Sequence, residues 1–232
     1  MAKKDQLRQI RENTIINEVS KIQEKSLELA IKNCILKLQK TYPTLEFCLE
    51  QRLFLYELVS FLETHFQSLE FSYHMKTSSM KPDGGILYLV NKSNERYPIL
   101  ISEKKNQGTN DQRKLEGKKK QAKGNAIERL GKNVIGFRTF LANESIFPFV
   151  CFGDGCDFSD DSSILDRVST IAEFGKINTI YVHNEAENRF RRGSFFFRET
   201  HWTVDEMSTI CFEIAEKSIF YYFSKYGKSN FL

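Results

Sequence analysis

A chain of 232 residues, 41% hydrophobic and 28% charged, has the make-up of a soluble globular protein, and residues 1–232 are long enough to form a single domain with a sizeable core. No apolar run approaches the ~20 residues of a membrane span, and the start Met-Ala-Lys-Lys-Asp-Gln leads into polar sequence, which excludes a secretory signal and points to the cytoplasm. A net charge of +4 is too small to imply a nucleic-acid partner by itself.

Residues 5–40 carry Leu7, Ile10, Ile16, Val19, Leu27, Ala30, Ile31, Cys34, Ile35 and Leu38 at three- and four-residue steps, which predicts one helix or two. Pro43 biases Tyr42 away from helical geometry and ends the pattern. A second helix is expected from about Leu49 to Phe66. Together these form an N-terminal helical part, residues 1–70, covering one face of a sheet and carrying no chemistry. Phe71 to Lys76 reads as a short strand.

The next stretch holds the chemistry. Pro82 fixes its own φ, and Gly84-Gly85 accept backbone angles that other residues resist, so Asp83 sits in a tight turn. Ile86–Val90 and Tyr97–Ser102 read as two strands joined by the polar turn Asn91–Arg96. The hairpin returns Glu103 to the neighbourhood of Asp83, and period-two alternation puts Lys105 on the face of Glu103. Two carboxylates and one ammonium converging on a point suit phosphodiester hydrolysis. Asp83 and Glu103 are hard oxygen ligands for Mg²⁺, and Lys105 can orient a water and offset transition-state charge. Most Glu-x-Lys triplets are solvated surface hairpins. A Pro-Asp turn, a hairpin and then Ile-Ser-Glu-Lys-Lys is the pattern of the PD-(D/E)xK nuclease core.

Asn106 to Lys120 has almost no apolar residues and reads as an irregular basic arm that orders on a ligand, part of a recognition arm at about residues 106–130. From Glu103 to Arg138 eleven Lys or Arg stand against four acids, the footprint of a phosphate-backbone contact, although a solvated loop would look alike. Asn125 and Glu128 have capping-box spacing and predict a helix beginning at Asn125, which accounts for both residues structurally. The same helix start suits DNA: its dipole favours phosphate, Asn pairs with adenine, and Arg donates to purine N7.

Phe147–Phe152 reads as a buried strand with Gly153-Asp-Gly155 turning after it, Ile164–Phe174 as an amphipathic helix, and Thr179–His183 as a short strand. Arg189–Arg198 mixes basic and aromatic residues. It reads first as a strand with a polar turn and second as a phosphate-contacting edge. A helix over Thr203–Tyr226 closes an α/β core of about five strands. Cys34, Cys48, Cys151, Cys156 and Cys211 are odd in number without Cys-x-x-Cys spacing, and no two of His65, His74, His183 and His201 stand at ligand spacing. Reduced thiols are expected, and a zinc site is not.

Ser-Ser-Met-Lys-Pro-Asp-Gly-Gly (78–85), Ile-Ser-Glu-Lys-Lys-Asn-Gln-Gly (101–108), Gly-Asn-Ala-Ile-Glu-Arg (124–129) and Phe-Pro-Phe-Val-Cys-Phe (147–152) resemble, in order, blocks of the EcoRI type II restriction endonucleases. Ile-Leu-Asp-Arg (164–167) and Phe-Glu-Ile (212–214) are fainter echoes, and the likeness covers about residues 70–232. It implies a PD-(D/E)xK restriction-endonuclease-like core over 71–232, with a central mixed five-stranded sheet flanked by helices. It also implies a homodimer that cuts both strands of a palindromic double-stranded DNA site using Mg²⁺, leaving 5′-phosphate ends with a four-base overhang, and a companion DNA methyltransferase. By motif position Asp83, Glu103 and Lys105 match the family's catalytic set, the two acids as metal ligands. Asn125, Glu128 and Arg129, flanked by Gly124 and Ala126, match residues reading an AATT centre, and Lys81, Gln107 and Arg167 match supporting positions. Gln121-Ala122 stands where the family has Met-Ala, Asn106 where it has His, and Thr170 where a second Arg is expected. The resemblance thus implies a retained AATT centre with a different outer pair, purine-AATT-pyrimidine being the first expectation. Alternatives are a PD-(D/E)xK nuclease of DNA repair or branched-DNA resolution, and a DNA-binding module that does not cut.

Overall fold

The computed structural model describes residues 14–106, 108–119, 125–160, 162–184 and 190–232. Its centre is a mixed five-stranded sheet in the order β1-β4-β5-β6-β7, built from β1 (Glu46–Glu50), β4 (Ile86–Val90), β5 (Arg96–Asn106), β6 (Phe149–Asp154) and β7 (Ser194–Arg198). The pairs β1–β4 and β4–β5 are antiparallel, while β5, β6 and β7 run parallel to one another. A two-residue pair, β2 (Leu53–Phe54) with β3 (Ser79–Met80), stands beside it.

The strands alternate between two cores because both faces are covered. Leu87, Leu89, Ile99, Val150, Phe152 and Phe196 face α1 (Thr14–Thr41) and α6 (Val204–Tyr226), through Leu27, Ile31, Cys34, Met207, Cys211 and Ile214. Ile86, Tyr88, Ile101, Phe149, Cys151, Phe195 and Phe197 face α4 (Asn125–Phe140) and α5 (Ser163–Ile171), through Ile127, Leu130, Val134, Phe137 and Val168. Thr203 and Glu206 form the capping box that starts α6. The fold is α/β with helices on both faces of the sheet, as the sequence implies. All five cysteines are free thiols, and no described helix is long and apolar enough to cross a membrane.

Several elements differ from expectation, each for a local reason. The start of the expected helix at 49–66 is strand: Leu45, Phe47 and Leu49 alternate with Glu46, Cys48 and Glu50, and β1 pairs along β4. Only Leu55–His65 (α2) is helical there, and Phe61 packs on Phe140 of α4, so α1 and α2 lie on opposite faces rather than one. The segment 71–76 is almost wholly exposed and forms no strand; pairing falls instead on Ser79–Met80. β6 runs through Asp154, and the turn comes at Gly155 with φ 125°. α5 stops at Ile171 because Glu173 and Phe174 take φ 53° and 59°. At 179–183 only an isolated bridge, Ile146 to His183, forms, since Ser194 Oγ takes the Tyr181 N–H (2.9 Å) that a strand would have offered its neighbour. The part of the N-terminal helix expected before Thr14 lies outside the described residues.

The segment 106–120, expected to be irregular, contains α3 (Gly108–Leu115). It docks through polar bonds rather than an apolar stripe. Asn110 donates to both carboxylate oxygens of Asp157 (2.7 and 2.9 Å), and Asp111 accepts from the Cys156 N–H (2.7 Å). Both anchors sit on the 3-10 turn Cys156–Phe158 that follows β6.

Candidate active site

The hairpin β4–β5 brings the end of β5 back beside the Pro82–Gly85 turn. Gly85 N–H closes that turn on the Pro82 carbonyl (3.1 Å), and Gly85 has φ 80°, which glycine adopts without strain. Gly84 N–H donates to the Ser102 carbonyl (2.9 Å) and Ser102 N–H to the Gly85 carbonyl (3.2 Å), which seats the turn on β5.

Asp83 and Glu103 then lock reciprocally. Asp83 N–H donates to Glu103 Oε2 (3.2 Å), and Lys104 N–H donates to Asp83 Oδ2 (3.1 Å). Lys105 Nζ lies 3.5 Å from Asp83 Oδ2 and is in direct contact with Glu103 Oε1. The structure therefore brings Asp83, Glu103 and Lys105 to one point. A fourth side chain joins them: Asn133 on α4 donates from Nδ2 to Glu103 Oε1 (3.2 Å). The sequence reading did not single out Asn133. Its only signal was position, one helical turn after Arg129.

Burial raises the Glu103 carboxyl above the usual carboxylate range, with Lys105 pulling it down and Asp83 pushing it up. Burial also works against the Lys105 ammonium, but Glu103 and Asp83 outweigh it and hold that group above the usual lysine range. Cys151, paired with Glu103 across β5 and β6, is held up as a thiol by burial.

Two carboxylates at one point, one of them partly open to solvent, form a donor set for a cation that takes few protein ligands and keeps its waters. Among the described residues there is no group of three or more His, Cys, Asp or Glu that could hold a metal. The close seat of the turn is testable: a methyl on Gly84 would collide with Ser102 Oγ and crowd Leu27. Gly84→Ala should lift Asp83 off β5 and slow single-turnover DNA cutting by about 100-fold, with a small change in melting temperature; wild-type rates would contradict this geometry.

On the opposite face of β5, Lys104 reaches Asp154 (3.6 Å) and Ser26 of α1 (3.3 Å), with side-chain exposures of 2% for Lys104 and 0% for Asp154. Sequence reasoning counted Lys104 only as part of a basic run. Burial pulls its pKa down, with Asp154 opposing.

Of the candidate DNA-contacting residues, Lys81, Glu128, Arg129 and Arg167 have described side chains. Lys81 is exposed just before the turn. α4 begins at Asn125 as expected; the side chains of Asn125 and Ala126, and residues Gln107, Gln121, Ala122 and Gly124 altogether, lie outside the described set. Glu128 and Arg129 are exposed on α4. Arg167 on α5 lines a cleft of about 270 Å³ together with Glu128, Gly131 and Thr170. The basic–aromatic stretch before β7 behaves as a strand with a turn. Arg191 donates to the carbonyls of Arg138 (2.8 Å) and Ala142 (2.6 Å), and Arg198 grips Glu206 with two bonds (2.9 and 2.6 Å).

Comparison with known proteins gives the same direction. The family model of the restriction endonuclease EcoRI matches residues 11–164, so the likeness begins within the N-terminal part and includes Asp83, Glu103, Lys105 and Asn133, while Arg167 lies just beyond it. The type II restriction enzyme RsrI of Cereibacter sphaeroides is 29% identical over 218 residues, covering 79% of this chain and 78% of that enzyme. The type II restriction enzyme EcoRI of Escherichia coli is 29% identical over 185 residues, covering 76% of this chain and 61% of that enzyme.

Proposed function

The chain belongs to the EcoRI restriction endonuclease family, whose members are type II site-specific deoxyribonucleases with a PD-(D/E)xK-like fold, and from that premise we propose that it makes Mg²⁺-dependent double-strand cuts at a palindrome with an AATT centre. The observation that carries the reading is the meeting of Asp83, Glu103 and Lys105 at the end of β5. Residues 1–232 act as one nuclease domain, working as a homodimer because one copy of each reading motif serves a palindrome only when two subunits meet on it. A companion methyltransferase protects the host site.

In the reaction a water oxygen bonds to phosphorus as the P–O3′ bond breaks, giving a 5′-phosphate and a 3′-hydroxyl. Asp83 and Glu103 would hold Mg²⁺, which would supply charge neutralisation at the scissile phosphate and a more acidic water there. Lys105 keeps its ammonium beside the reacting phosphate and offsets the negative charge that builds on its oxygens. Asp83 is held in aim by the Lys104 N–H, and Glu103 by the Asp83 N–H and Asn133.

Asn125, Glu128 and Arg129, on the first two turns of α4, read the AATT centre, with the helix dipole favouring the adjacent phosphate. Lys81, Gln107 and Arg167 support them. Gln121-Ala122, beside Gly124 and Ala126, faces the outer pair, and purine-AATT-pyrimidine is the site proposed.

Digesting a mixed DNA library and sequencing the ends tests this directly. Every end should carry a 5′-phosphate and a four-base AATT overhang, and Asp83→Ala should retard the same duplex without cutting it. Cut sites lacking AATT would refute the recognition claim, and cutting by Asp83→Ala at the wild-type rate would refute the site assignment. A smear on linear DNA would favour a repair-type nuclease.

A further inference from the structure

The end of β5 that carries Glu103 and Lys105 is held unevenly. Its ladder with β4 stops at the pair Ile86–Ile101, while its ladder with β6 runs on to Asn106 and Asp154. Over Glu103–Asn106 the opposite edge is met by the Pro82–Gly85 turn rather than by β4, and that turn takes its own bearing from β5 through the Lys104 N–H. α3 begins at Gly108, shortly after Lys105, and polar bonds fix where it lies. The Asn110 amide donates to both carboxylate oxygens of Asp157, and both side chains are buried. Asp111 accepts the Cys156 N–H, and Gly155 lies so close that a methyl there would collide with Asp111 Oδ2. The turn that receives these bonds is the continuation of β6. The contacts therefore form a clasp that ties the exits of β5 and β6 together beyond the sheet.

We propose that Asn110 and Asp111 are positioning residues for Lys105: by clasping α3 to the turn after β6, they hold the last residues of β5 so that the Lys105 ammonium stays at Glu103 and Asp83. This rests on the proposed function and deepens it, because it adds two residues that lie outside the meeting point of the three catalytic groups. A displacement of about 1 Å at a reacting group costs up to about 100-fold in rate. A frayed strand end should thus slow cutting far more than it weakens binding, which many phosphates share.

The test measures single-turnover cutting and equilibrium binding on an AATT duplex. Asn110→Ala should slow cutting by about 10- to 100-fold and change affinity by no more than about threefold. Asp111→Ala, at a half-buried position, removes the other bond and should slow cutting within the same range. The reciprocal swap Asn110→Asp/Asp157→Asn exchanges donor and acceptor, keeps the pair, and should recover most of the rate. Placed on Lys105→Ala, Asn110→Ala should add less than about twofold, because residues acting through one group are not additive. A residue that merely stabilised the fold would add its full factor there. Trypsin, without DNA, should cut after Arg113 and Lys114 faster in both single variants than in the wild type. Should melting curves show Asn110→Ala unfolded, Asp111→Ala and the swap carry the same test. The inference is overturned if the folded single variants cut at the wild-type rate, if the swap recovers nothing, or if the loss on Lys105→Ala equals the loss on the wild type. Those results with a cutting wild type leave the proposed function standing; a wild type that cuts no AATT duplex removes both.

Discussion

Lys105→Ala should cut DNA at least about 10²–10³-fold more slowly than the wild type, as expected for loss of a preorganised charge facing the transition state, and should still bind the duplex within about fivefold, since many phosphates share the affinity. The argument is geometric. The Lys105 ammonium contacts Glu103 and stands 3.5 Å from Asp83, with its side chain only 16% exposed. Lys105→Met keeps the stem and removes only the charge, and it should behave like the alanine variant. Lys105→Arg should not restore activity, because a planar fork does not replace a compact ammonium. Single-turnover cutting with Mg²⁺, alongside gel retardation without it, reads both quantities. Cutting by Lys105→Ala at the wild-type rate would remove Lys105 from the site, and equal loss of binding would make it a phosphate contact instead.

Where a residue's role depended on local pattern, the sequence announced it. Pro82-Asp83-Gly84-Gly85 could only turn, Ile86–Val90 and Tyr97–Ser102 could only be strands, and period two then fixed Glu103 and Lys105 on one face, as β5 shows. Where the role depended on a distant partner, the sequence was silent. α3 has no apolar stripe to reveal it, because Asn110 and Asp111 dock on Asp157 and the Cys156 N–H, 47 and 45 residues away. β1 was hidden by the helical periodicity that follows it, and only its pairing with β4 decides the matter. Asn133 looked like one more polar helix position, and nothing local marked it as the partner of Glu103, 30 residues earlier. Lys104 was miscounted for the same reason. Set between Glu103 and Lys105 in a basic run, it belongs to the opposite face of the strand and to the interior.

That buried lysine carries the largest expected effect on stability. Asp154→Ala leaves the Lys104 ammonium in the core beside Ser26 and without its carboxylate, and removing one member of a buried pair costs about 3–5 kcal/mol. Asp154 also accepts the Trp202 N–H (3.2 Å), so part of the loss comes from that junction at the start of α6. The pH dependence identifies the cause. Burial already pulls the Lys104 pKa down, and without Asp154 nothing opposes it, so the folded variant binds its proton less tightly than the unfolded chain, whose lysines titrate near about 10.4. Where the unfolded state binds more protons, stability rises with pH, so the defect should shrink as the pH climbs from neutral toward that value. Urea unfolding at neutral and alkaline pH measures it. The double variant Lys104→Met/Asp154→Leu, which replaces the pair by apolar groups, should recover the part of the loss caused by the stranded charge, though not the Trp202 bond, and should lose the pH dependence, since a buried pair of this kind contributes little net. A loss in Asp154→Ala that is the same at both pH values would place the cost in the Trp202 contact rather than in the stranded charge. Because the Lys104 N–H is the donor that aims Asp83, cutting by the double variant then separates the two functions of this position: full activity means the backbone bond alone suffices, and slow cutting means the buried ammonium holds the strand in place for it.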